Sequence, residues 1–278
     1  MVSNTPMNTG WKLFWQTVIG RSYPRLIGMA REKSWLIIET VLPVLQIVAY
    51  IYIYRALKAP EEYIGFVVVG GAMTAFWMNV LWAMSSQLYW EKETGNLGLY
   101  IMAPTNLMAI LLGMALGGLV STTLRALGSL ALGSWMFGVR YEVSSFWQLF
   151  AVFVLTMVAL YGLGMMNSSV FLLLGREAWH FSNLLQEPIY LVSGFYFPVK
   201  ALNFWVALGA SIVPLTLGLD AMRQLVFAGG PALGFLTVPV EMAVLAVLSV
   251  VFLVASKFLL AKMERLSIQE GRITENRR

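Results

Sequence analysis

An otherwise apolar run, Trp179–Phe197, carries a carboxylate at its middle. Glu187 follows Asn183 and Gln186, and Pro188 after it frees a backbone carbonyl nearby. Asn79 stands midway along a second run, Tyr63–Leu88, and Arg125 lies well inside a third, Leu107–Phe137. A charged side chain at the centre of a bilayer costs about 2.5–3.5 kcal/mol on insertion scales, so each such residue marks a pathway or a helix-tying contact. Two readings of Glu187 stay open. With Asn183 and Gln186 it lines a substrate path between two copies of the chain, or, protonated or hydrogen-bonded, it packs helices inside one copy. Asn79 divides in the same way, between pathway and interhelical hydrogen bond. The helical rise puts Arg125 and Glu241 at similar depth, which suggests an ion pair, unless Arg125 snorkels outward. Glu39, one turn into the first run, reads as interfacial.

Other chemistries lack their parts. His180 is the single histidine, placed where a span begins, and there is no cysteine. Neither a G-x-S-x-G elbow nor a metal-ligand cluster occurs, so hydrolase and metalloenzyme chemistry have no residues to run on. No G-x-x-x-x-G-K-[ST] is present either, so the chain has no loop of that kind for nucleotide phosphates. A secondary carrier using Glu187 as its proton site is the alternative to a driven transporter. The paired broken spans of such carriers are not evident.

These residues are held by an all-α integral membrane fold. Of 278 residues, 59% are hydrophobic and 12% charged, against about 25% charged in a soluble domain. Six spans of the required ~20 residues are expected: Trp35–Tyr54, Tyr63–Leu88, Leu107–Phe137, Phe146–Leu174, Trp179–Phe197 and Phe235–Leu260. Between the last two, Leu202–Phe227 is apolar but interrupted by Pro214 and Gly218, and reads as a re-entrant helical hairpin. Before the first span, Trp11, Phe14, Trp15, Val18 and Ile19 share one helical face, predicting an interfacial helix that Tyr23-Pro24 breaks. The whole chain, 1–278, is then a single transmembrane domain: interfacial helix over 1–34, six-span bundle over 35–260, tail over 261–278. Gly113 and Gly117 form a small-xxx-small pair that lets another helix approach.

Basic residues set the orientation. Lys12, Arg21, Arg25, Arg31 and Lys33, Lys92, Arg176, and the run from Lys257 to Arg278 fall on one side. Arg55, Lys58, Arg140, Lys200 and Arg223 fall on the other, so both termini are expected in the cytoplasm of a plasma or inner membrane. No basic stripe interleaved with exposed aromatics points to nucleic acid.

Three motifs remain. The first cytoplasmic loop, Trp90 to Pro104, combines a charged helix start (Glu91, Lys92, Glu93), Gly95, an apolar face with Leu97, Ile101 and Met102, and the Pro104 stop. Ser193-Gly194-Phe195-Tyr196-Phe197-Pro198 is followed by Val213-Pro214-Leu215-Thr216, Arg223 and Gly229-Gly230. Arg31-Glu32-Lys33-Ser34-Trp35 leads to Leu42-Pro43. In this order they resemble the permease subunits of type-2 ABC transporters, whose coupling segment runs roughly E-R-E-x-G-T-L-E-x-L-x-x-x-P. Lys92, Asn96 and Gly98 depart from that pattern, and Val213 replaces the usual Asn of the second motif.

The resemblance implies an exporter permease, and a lining drawn from 16 Phe and 16 Met suits a hydrophobic or amphiphilic substrate such as a drug, lipid or lipid-linked glycan. It implies that Glu91, Lys92, Glu93, Gly95, Leu97 and Pro104 dock on a separate ATP-binding subunit, present in two copies. Arg25, Arg31 and Lys33 would belong to the interfacial gate helix, and Phe197, Pro198, Pro214 and Arg223 to an outer re-entrant cap. A second permease copy, identical in preference to unlike, completes the unit. ATP and magnesium would reside in the partner, with no cofactor on this chain.

Overall fold

In a computed structural model, which describes residues 10–31 and 33–269, the chain is built from helices joined by short turns. In order they are α1 (Trp11–Arg31), α2 (Lys33–Ala56), α3 (Glu62–Met78), α4 (Gln87–Glu93), α5 (Asn96–Met102), α6 (Leu107–Phe137), α7 (Phe146–Leu174), α8 (Ala178–Val192), α9 (Phe204–Ala210), α10 (Pro214–Val226), α11 (Gly230–Leu233) and α12 (Val238–Gln269). A π-helical turn, Asn79–Met84, continues α3 toward α4. By length and composition, α2, α3 with its continuation, α6, α7 and α12 are each able to cross a membrane. The bundle has two ends. The base carries the α4–α5 loop, and the cap carries α9 and α10.

α8 departs from the expected fifth span. Its helix covers 15 residues, about 22 Å, short of a ~30 Å hydrocarbon core. Gly175, at φ +56°, reverses the chain after α7, and α8 climbs back beside α3. Trp179 stacks on Trp82 near the base, whereas Tyr190 reaches the Thr74 level. The irregular stretch Ser193–Pro198 completes the pass. Beyond it α9 and α10 meet at 108°, the expected re-entrant pair, and every residue of α10 is buried. Pro214 opens α10 at a first-turn position where its missing N–H has no partner to lose.

α1 does not break at Pro24. It runs unbroken to Arg31 with Pro24 inside, because its opposite face is clamped to α6. A Cβ on Gly113 would lie 2.5 Å from the Val18 carbonyl oxygen, and one on Gly117 2.9 Å from that of Ser22. The small-residue pair thus receives α1, while Gly20 and Pro24 are exposed, leaving the freed carbonyl an open side. The tail residues Arg272, Arg277 and Arg278 lie outside the described residues.

The expected Arg125–Glu241 pair is not formed. Arg125 instead pairs with Glu39 of α2, which therefore is more than an interfacial residue. Arg125 and Glu241 also stand at different levels, for Tyr161, which shares Thr122 with Arg125, precedes Gly162, and Gly162 meets Phe252 of α12, about 16 Å along that helix from Glu241. α2 crosses α6 where Thr40 meets Gly128, while α12 packs on α7 and α10 across the bundle. Glu241 there shares the Gln224 side-chain amide with Asp220.

Candidate functional site

The π-helical turn begins at Asn79 and contains Trp82; such turns widen a helix and concentrate at functional sites. Both residues line a cleft of about 360 Å³ between α2, α3, α6 and α8. Its walls carry Glu39, Gln46, Thr74, Asn79, Arg125 and Tyr190 among apolar side chains. Arg125 is braced by its ion pair to Glu39 and by donating from Nη2 to Thr122 Oγ1 at 2.9 Å. The Asn79 side-chain Oδ1 accepts from the buried Tyr161 hydroxyl at 3.1 Å. The Trp82 indole N–H donates to Gln186 Oε1 at 2.8 Å, which joins α8 to the cleft rim.

Of the four pathway residues read from sequence, Asn79 and Gln186 meet at this cleft, one on its wall and one on its rim. Glu187 and Asn183 sit one turn apart on the exposed face of α8. Glu187 accepts from the side-chain amide of Gln186 at 3.2 Å. It lies about 13 Å along α8 from the base.

The base is the second site. Glu91 is 8% exposed and its carboxylate gathers four donors. Arg21 Nη2 approaches Oε1 at 2.7 Å and Gln87 Nε2 at 3.3 Å, while Asn96 Nδ2 and the Tyr100 hydroxyl reach Oε2 at 3.1 and 2.9 Å. Burial, then the bond to Glu91, pushes the Tyr100 phenol up to about 12, so it stays a donor at neutral pH. Arg25, one turn beyond Arg21, donates to Gln87. The pairs Arg21/Arg25 and Gln87/Glu91 both have i,i+4 spacing, which sets two side chains on one face of each helix. That matched spacing was the signal for Arg21 and Gln87, which sequence reasoning missed. Tyr100, Tyr161 and Thr122 carried no such signal.

Gly118 then joins the two sites. Its α-carbon faces both Arg25 Nη1 and Asn79 Oδ1, at 3.0 and 3.3 Å from where a Cβ would stand. Arg25, on α1, thus stands beside Asn79. Arg31 is exposed at the end of α1, and Lys33 opens α2. Gly95, at φ +79°, makes the turn between α4 and α5. Leu97 turns into the core at 1% exposure. What the loop presents outward is Trp90, Glu93, Leu99, Met102 and Pro104, with Lys92 half-buried.

At the cap, Arg223 is 1% exposed and bonds to backbone alone. Nη2 donates to the Phe66 and Phe195 carbonyls, each at 2.7 Å, and Nη1 to those of Gly194 and Phe197 at 2.5 and 3.4 Å. Pro198 is buried beside this turn. No group of three or more His, Asp or Glu able to hold a metal stands among the described residues.

Residues 16–227 match the family model described as ABC-2 type transporter. The chain belongs to the ABC-2 type transporter family. The match takes in the base loop, the polar cleft and the cap up to Phe227, and it leaves α12 beyond its end. Family membership makes this chain the membrane component of an ABC transporter and implies an ATP-binding subunit as its partner. No curated protein matches the chain.

Proposed function

We propose that this ABC-2 permease exports a hydrophobic or amphiphilic substrate, driven by ATP hydrolysis in two copies of a separate subunit. Two identical permease chains would face each other through α2 and α8. The base would lie in the cytoplasm of the cell membrane with both termini, and the cap outside. ATP and magnesium belong to the partner.

The observation that carries this reading is the exposed Glu187 at the middle of the apolar run Trp179–Phe197. A carboxylate there is poorly placed against hydrocarbon, so a polar medium covers it. Two facing α8 surfaces with a hydrated path between them supply that medium. The neighbouring cleft, apolar with a few fixed polar groups, suits an amphiphilic cargo. At the base, Leu99 and Met102 are 61% and 76% exposed beside Glu93, an apolar and charged patch for the ATP-binding subunit to grip. Closure of that subunit would reach α1 through Glu91 and Arg21, and the cleft through Arg25.

Cross-linking is the test. Asn183→Cys in the full chain, in native membranes, is expected to form a disulfide-linked pair of permeases that loses transport and regains it on reduction. Absence of the cross-link, together with normal transport in Glu187→Leu, would remove both the seam and the path from α8.

A further inference from the structure

α3 and the π-helical turn after it have two unlike faces. Thr74, Asn79 and Trp82 look into the polar cleft, whereas Val69, Ala72 and Phe76 look the opposite way. On that second side the wedge between α6 and α7 is open. It forms a cleft of about 450 Å³ lined by Leu127, Leu130, Phe150 and Phe153 besides the α3 residues. Two hydroxyl residues border it, and both turn away: Thr123 donates to the Leu119 carbonyl, and the Tyr141 and Ser134 hydroxyls pair at 2.5 Å. Water has no partners in such a space.

One turn nearer the cap on α3, Gly65 and Phe66 line another cleft, about 470 Å³, that holds Glu61, Glu62, Arg140 and Glu142. The segment joining α6 to α7 separates the two. It is extended, its Glu142 and Ser144 N–H groups donating to the Val226 and Leu225 carbonyls. Alternation along it sends Tyr141 and Val143 to the apolar cleft and Arg140 and Glu142 to the polar one. Among the described residues the ion pairs are Arg21–Glu91 and Arg125–Glu39, so these four charges are committed to none. Trp135 and Trp147, 83% and 78% exposed, stand at this level as interface aromatics do.

We propose that the two clefts together hold one zwitterionic phospholipid of the cap-side leaflet. An acyl chain fills the apolar cleft, the phosphate meets Arg140, and the ammonium group sits among Glu61, Glu62 and Glu142. The α7 lining from Phe146 to Phe153 runs about 10 Å, within a leaflet about 15 Å deep. One cation among three carboxylates suits a headgroup with both signs and disfavours an anionic one. This site lies across α3 from the seam assigned to a second permease, and it stands whether or not the export reading holds.

The test uses the full chain in vesicles containing trace phosphatidylethanolamine or phosphatidylglycerol with a photoreactive group on the acyl chain. Labelled peptides are then mapped. Phosphatidylethanolamine is expected to label Leu127, Leu130, Phe150 and Phe153 about tenfold more than Val247 and Val250, which are exposed on α12 away from the clefts. The triple variant Glu61→Gln, Glu62→Gln, Glu142→Gln is expected to erase the preference over phosphatidylglycerol, and Arg140→Gln to weaken labelling by both. Because Arg140 and Glu142 are exposed, these variants leave the core intact. Equal labelling of cleft and α12, or no difference between headgroups in the unaltered chain, would overturn the proposal. So would a Leu127→Cys cross-link between two chains, since a second copy would then fill the wedge.

Discussion

The base buries the Glu91 carboxylate and the cap buries the Arg223 guanidinium, and the two charges are satisfied in opposite ways. Arg223 takes backbone carbonyls from α3 and from the turn after α8, atoms whose positions the fold already sets. Glu91 takes side chains, one from α1 and three from the loop itself, each able to swing away on its own rotatable bonds. A guanidinium held by carbonyls has nowhere else to go. A carboxylate held by side chains can exchange partners at modest cost. The difference teaches that the cap is a fixed clamp and the base a linkage that can be made and broken, the arrangement needed if force enters at the base.

The sharpest way to break this contrast is at the clamp. Arg223→Met should lower stability by about 3–5 kcal/mol by leaving buried carbonyls unpaired, read as lost monodisperse protein on heating in detergent. Arg223→Lys is expected to recover little, because one ammonium cannot reach all the carbonyls spread around the edges of the planar guanidinium. Gly70→Ala should act as severely, since the added Cβ would stand 1.5 Å from the Phe195 carbonyl oxygen. If Arg223→Met were as stable as the parent chain, the clamp would be wrong.

At the linkage the expected effect is smaller and of another kind. Glu91→Gln should cost about 1.5–3 kcal/mol in stability, yet uncouple ATP hydrolysis from transport in the assembled complex. Arg21→Gln should do the same. The double variant should show a coupling energy of about 0.5–3 kcal/mol in a thermal-unfolding cycle. Strict additivity would mean that the pair transmits nothing.

On the outward face of the loop, Glu93→Ala and Met102→Ser should leave stability within about 0.5 kcal/mol and reduce the ATP-binding subunit recovered on gentle solubilisation. Full recovery would place the docking surface elsewhere.

The smallest effect concerns pH. The Tyr100 phenol is raised from its ordinary 10.0 to about 12, so the fold favours its protonated, neutral form. Its contribution is whole below about pH 10 and is lost as pH rises toward 12. Cleavage of the loop at Lys92 by trypsin should therefore be flat from neutral pH to about 9 and should not rise in the parent chain until above pH 10, whereas Tyr100→Phe should be cut faster throughout. An equal rate for both chains would show that the phenol holds nothing.

How much of this was legible beforehand follows from what periodicity encodes. Length and apolarity of each run are one-dimensional, so α6 and α7 begin and end where the sequence places them. Pro214 announces the bent pair for the same reason, whereas Gly218, read as a second interruption, lies inside an unbroken α10. Which side of a helix meets which neighbour is not one-dimensional. Arg125 reads as level with Glu241, yet it pairs with Glu39 near the base end of α2, and Leu97 reads as outward on a loop that turns it inward. Pro24 reads locally as a break, yet α6 holds α1 straight through it. Glu187 lies between these cases. Its place along α8 is readable from sequence, while its exposure depends on α8 standing at the side of the bundle.

The π-helical turn in α3 has a consequence for tolerance to deletion. It stores one surplus residue, so removing a residue between Asn79 and Met84 would let the chain close into an ordinary helix with both flanking faces still pointing where they do now. The same deletion a few residues earlier, in the regular part of α3, would instead rotate everything downstream by about 100° and aim the base loop away from α1. A shortened gene could thus keep its architecture while losing only the flare that opens Asn79 and Trp82 to the cleft.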